Sequence, residues 1–250
     1  MDQPKTRKRY RNPPIEEALV EFRFTPGQDW DLTIPGKLHE KVKATYPGKP
    51  RQQRLLQALV RAEIGQPPGM SVEEGIGRVQ LVDTDARRLL SLGPDALSVN
   101  VLRPYDGWEV FKPRIHAALQ AYADVSGVEK ISRIGVRYIN KVVVAEPNVD
   151  PGKYFLCAPP VPAGLPSRVT SFLYRTEHVF DDDVKLMLTF ATIAGEPGSS
   201  SFLLDLDIIW ESDSGIGVDQ ALEKVDDLHE REGVAFEAVI TDHTRGAFDA

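Results

Sequence analysis

Glu21, Arg23, Arg133 and Arg137 are the residues of this sequence whose types and spacing best suit recognition chemistry. A guanidinium grips a carboxylate or a phosphate through two parallel hydrogen bonds. Each of the four sits on the polar side of an alternating segment. Leu19, Glu21 and Arg23 oppose Ala18, Val20, Phe22 and Phe24, while Arg133, Gly135, Arg137 and Ile139 oppose Ser132, Ile134, Val136 and Tyr138. If the two segments lie together in a sheet, the four form a polar-face constellation with two readings. As a cross-strand charge ladder it stabilises by about 0.2–1 kcal/mol per pair and needs no ligand. As a binding site it would take a carboxylate or phosphate. The ladder is the simpler reading. Asp205 and Asp207 are the weak candidates for a metal, since two carboxylates on one strand face can hold a cation or share a proton. Leu204, Leu206 and Ile208 opposite them are what an ordinary half-exposed strand would also show.

Other motifs point away from catalysis. Gly75-Ile76-Gly77 is too short for a dinucleotide fingerprint, and the sequence has neither a Gly-x-Ser-x-Gly elbow nor a phosphate loop. His39-Glu40 and His229-Glu230 each lack the second histidine of a zinc-protease helix. His116 falls beside an apolar helical stripe and reads as a packing or surface residue; His178 and His243 stand far from the rest. No catalytic residue and no cofactor is expected.

Bulk properties narrow the class. At 250 residues, with 27% charged and 42% hydrophobic side chains, the chain suits a soluble globular fold with one large core. No apolar run approaches the roughly 18–20 residues that span a bilayer. The basic start lacks the apolar stretch of a secretory signal. The single cysteine, Cys157, allows no internal disulfide, so a reducing cytoplasm is the expected location. Charge is uneven along the chain. Lys5, Arg7, Lys8, Arg9 and Arg11 crowd a basic tail over residues 1–11, expected to be flexible. From Asp205 onward thirteen acidic side chains meet three basic ones. An acidic end repels phosphate backbones, so nucleic acid is not the expected partner.

The elements that must position these residues follow from periodicity. Asn12-Pro13-Pro14 keeps the chain extended into a strand ending at Phe24. A short helix is expected over 35–46, then strands over 55–64, 77–82, 87–92 and 96–103, with turns at 25–27 and 66–69. Trp108, Phe111, Ile115, Ala118, Leu119 and Tyr122 mark a long helix closed by Ser126-Gly127. A strand over 130–144, a proline-rich loop over 147–166, and strands over 168–180, 184–193 and 202–210 follow. A last helix runs over 218–239, bent or broken at Gly233.

Glu21-Phe22-Arg23-Phe24 is echoed by Gly135-Val136-Arg137-Tyr138. With the element order, this suggests two diverged βαβββα units over 12–127 and 128–242 of one domain spanning 12–250. The fold expected is α+β: a mostly antiparallel curved sheet packed on one face by two long helices. That layout resembles the TATA-binding-protein-like and helix-grip architectures, which carry no function by themselves.

Three blocks, Asn12-Pro13-Pro14-Ile15-x-Glu17-Ala18-x-x-Glu21-Phe22-Arg23-Phe24, Arg133-Ile-Gly-Val-Arg-Tyr-Ile-Asn140 and Leu228-His229…Phe236…Ile240-Thr241, resemble a sporadically distributed, uncharacterised prokaryotic family. The resemblance implies one full-length unit and carries over no catalytic residue. The function expected is that of a non-enzymatic interaction protein, binding another protein or itself as a homodimer. The alternative is a small anionic-ligand binder, or an enzyme of unfamiliar type, with a pocket between sheet and helices.

Overall fold

A computed structural model describes residues 8–25, 30–52, 55–61, 69–75, 77–166, 168–180 and 182–249. The expected turn at 25–27, most of that at 66–69, the end of the 55–64 strand and most of the basic tail lie outside the described residues. The strands are β1 (Ile15–Phe24), β2 (Arg51–Gln52), β3 (Leu55–Arg61), β4 (Gly69–Gly75), β5 (Val79–Val82), β6 (Arg88–Leu92), β7 (Ala96–Leu102), β8 (Ile131–Val144), β9 (Leu173–Val179), β10 (Val184–Ile193) and β11 (Ser200–Ile216). The helices are α1 (Ile34–Val42), α2 (Trp108–Ser126), α3 (Val218–Val239) and α4 (Asp242–Asp249).

Nine strands form one fully antiparallel sheet in the order β2-β5-β6-β7-β1-β8-β11-β10-β9, and β3 and β4 pair separately. This is an α+β fold. Outward from the central β1–β8 seam, one half runs β1, β7, β6, β5, β2 and the other β8, β11, β10, β9, so each presents its first strand and then the others in reverse chain order, the first half adding β2 at its edge. The second half has only a single helical turn (Pro151–Lys153) where the first has α1.

Alternation decides which side faces the helices. Ala18, Val20 and Phe22 of β1 and Ile134, Val136 and Tyr138 of β8 are buried against residues of α2 and α3. The Phe24 and Tyr122 rings stack at 4.8 Å. The seam register slips between Arg23 and Phe24, so Ile131 continues the buried row and Ser132 does not. Helix α2 ends where Gly127 adopts a left-handed conformation (φ 69°) and donates to Ala123 O, a residue type that takes this φ at little cost. Helix α3 runs unbroken through Gly233, which is buried in it, so the expected break does not occur. Among the described residues, no helix is long and apolar enough to cross a membrane.

Candidate functional site

The seam gathers the predicted polar face. Glu21 lies opposite Gly135 and Arg23 opposite Arg133. Glu21 and Gly135 also occupy the same place in the two echoed segments. With a glycine on one side, a single carboxylate remains at the centre. A Cβ at 135 would sit 3.3 Å from Asp207 Oδ1 and 3.6 Å from Arg133 Nη1, so those side chains occupy the space it leaves.

Glu21 is the hub. Arg23 Nε donates to its Oε1 at 3.0 Å, Arg133 Nη1 to the same oxygen at 3.0 Å, and Arg78 Nη1 to Oε2 at 2.9 Å. Arg133 also meets Glu211 at 3.2 Å, and Lys185 meets that carboxylate at 3.0 Å. Arg137 does not reach Glu21; it grips Asp205 with both ends of its fork, Nε to Oδ1 at 2.8 Å and Nη2 to Oδ2 at 2.6 Å. Asp205 is thereby an ion-pair partner. Asp207 lies on the same face, near Arg133 and Arg137. Among the described residues, no group of three or more histidine, cysteine or acidic side chains is placed to hold a metal ion.

The electrostatics follow from burial against pairing. Burial pushes the Glu21 carboxyl up, but hydrogen bonds and charge from Arg78 and Arg23 outweigh it and hold the group below the usual range. Asp207 goes the other way. Burial raises it to about 6 against the attraction of Arg133 and Arg137, with like charge from Asp205 and Glu21 adding to the rise. Arg137 is held more firmly protonated by its hydrogen bonds to Asp205, although burial opposes this.

A second polar cluster lies on the opposite side of the sheet. The Tyr138 hydroxyl is 3.0 Å from that of Tyr105 and 3.1 Å from His229 Nδ1, and Trp108 stacks on the imidazole at 3.6 Å. His229 and Glu232, one turn apart on α3, are both buried. Tyr138 and His229 come from the middle and last of the resemblance blocks, and only the packing of α3 on β8 joins them. The space between sheet and helices is filled by this cluster and by Phe22, Phe111, Ile115 and Tyr122. Glu21, Arg133 and Arg137 face away from it, on the other side of the sheet.

A third feature is a surface cleft of about 580 Å³ between the Asn12–Ile15 turn, β8 and α4. Arg11, Arg103, Lys141 and His243 line it, and among the described residues no acidic side chain does. Beside it Tyr10 packs edge-on against Phe248 and donates to Glu237 at 2.7 Å, so this part of the basic tail is anchored to α3 and α4.

No protein-family model, curated protein or solved structure matches this chain.

Proposed function

We propose that this chain is a non-enzymatic protein-binding module that presents the open, charge-compensated face of its sheet to a protein partner. One observation carries the reading. Arg23, Arg78, Arg133, Arg137 and Lys185 each lie within 3.2 Å of a carboxylate of the same chain. A small anion would have to displace those carboxylates, one of which, Asp205, holds the Arg137 guanidinium in two-point contact. A protein surface need not, because it can match a mosaic of both signs from above. The outer members stay accessible, with the Glu211 side chain 49% and Arg137 38% exposed. The lone thiol is a poor nucleophile, since burial pushes Cys157 up to about 11. A cytoplasmic location suits a chain with one cysteine. The blocks that resemble a sporadically distributed prokaryotic family suit an accessory protein.

Capture from a native-host lysate tests this with the wild type and Thr189→Trp, which crowds the face from β10. The expected result is a stoichiometric partner that the variant loses while its melting temperature holds. Equal capture by both forms, or no partner for the wild type, overturns the reading.

A second reading, a small-anion binder, is favoured by one observation: among the described residues the cleft lined by Arg11, Arg103, Lys141 and His243 has no acidic side chain in its wall, although Arg103 meets Glu16 at 2.9 Å. Inorganic phosphate binding abolished by Lys141→Glu would support it.

A further inference from the structure

We infer that β9 is a self-pairing edge, through which two copies of this chain join into one continuous antiparallel sheet. This is independent of the partner proposed for the open face. β9 ends the sheet, and among the described residues only β10 pairs with it. Natural edge strands are usually short or carry a lysine, a proline or a bulge that blocks further pairing. β9 has seven residues, Leu173-Tyr-Arg-Thr-Glu-His-Val179, with none of these residues, and its register with β10 is unbroken. The opposite edge, β2, has two residues. On one face of β9 Leu173 is 76% and Val179 77% exposed, and on the other Tyr174 and His178 are exposed and Thr176 half-buried.

The backbone fixes which groups are on offer. Phe180 N–H donates to Val184 O at 2.8 Å, and Thr192 N–H donates to Phe172 O at 3.1 Å. The even-numbered residues thus aim their main-chain groups at β10. By alternation, Leu173, Arg175, Glu177 and Val179 aim theirs at the open edge.

An antiparallel copy must therefore pair odd residues with odd residues. Centred on Thr176, the pairing sets Arg175 against Glu177 of the second copy, and Glu177 against its Arg175. It also sets Leu173 against Val179 at both ends and Tyr174 against His178, with Thr176 facing itself. Unlike charges meet twice and apolar ends meet twice, across the full length of the strand. Moving the centre to Arg175 or Glu177 would place like charges face to face. The second copy is the occupant because this sequence is complementary to its own reverse.

Sedimentation equilibrium on the full chain tests the pairing. The wild type is expected to move from 27.8 kDa toward twice that mass as concentration rises. Arg175→Glu or Glu177→Arg alone should weaken the dimer about tenfold or more, and the double exchange should restore it. Thr176→Cys in a Cys157→Ser background should cross-link on oxidation, because a non-hydrogen-bonded antiparallel pair has a Cα separation that a disulfide can bridge. Arg175→Cys should not, since it faces residue 177. A wild type that stays monomeric, a dimer indifferent to Arg175→Glu, or cross-linking through 175 but not 176 would overturn the inference.

Discussion

Replacing Asp207 by asparagine should stabilise the protein near neutral pH and leave it nearly unchanged near pH 4. Asp207 is mostly buried beside Arg133 and Arg137, yet its carboxyl is held at about 6 against an ordinary 3.8. Its charge is thus penalised by burial more than the two guanidinium groups repay. Between those two pH values the folded chain keeps a proton that the unfolded chain releases, so stability falls as pH rises through this window and levels off above it. The full difference corresponds to about 3 kcal/mol, and partial exposure reduces the expected gain to about 1–3 kcal/mol. Asparagine removes the charge and keeps the shape. Urea unfolding of both forms at pH 4 and pH 7.5 measures the effect. An Asp207→Asn variant less stable than wild type at pH 7.5 would refute the reasoning, because the carboxylate would then be a net contributor to the lattice.

Glu21 should behave with the opposite sign. Its depressed carboxyl contributes stability that is present above the unfolded value of 4.5 and is lost as pH falls through the lower folded value. Glu21→Gln, which strips three arginines of a shared partner, should cost about 2–4 kcal/mol in urea unfolding at pH 7. Arg23→Gln, removing an exposed member, should cost no more than about 1 kcal/mol; equal costs would argue against a hub. Tyr138→Phe leaves the ring in place but deprives Tyr105 and His229 of a buried hydroxyl, so a loss of about 1–3 kcal/mol is expected, and a neutral result would count against the network.

Much of this fold is legible from side-chain period alone. Ala18, Val20 and Phe22 alternate because one face of β1 is buried, and the stripe from Phe111 to Tyr122 recurs every three or four residues because α2 lies on that face. Legibility fails where local chemistry argues against the element formed. Gly69-Met-Ser-Val-Glu-Glu-Gly75, to which no element is assigned beyond the turn at 66–69, forms β4, and Ser212-Asp-Ser-Gly215, beyond the expected strand end at 210, lengthens β11 until Ile216 pairs with Ile131. Helix α4 contains Thr244 and Gly246, weak helix formers, and is held by packing of Phe248 and a Thr244 hydroxyl bond to Tyr154 O.

The candidate site divides in the same way. Alternation alone places Glu21 with Arg23 and Arg133 with Arg137. The partners Arg78, Lys185 and Glu211, and the role of Asp205, depend on strand order, which no local pattern encodes. His229 and Tyr138 are 91 residues apart and meet only through helix-on-sheet packing. Polar residues in the apolar stripe of α3, His229 and Glu232, were the one available signal.

The proposed function requires that the arginines of the sheet face, already held by the chain's own carboxylates, leave no site there for a small anion. NMR of the arginine Nε–H signals during titration with inorganic phosphate, and separately with succinate, tests it most directly. The Arg133 and Arg137 signals are expected to move no further with either anion than with simple salt at the same ionic strength. A saturable shift of both, abolished by Arg137→Leu in a variant of unchanged stability, would contradict it.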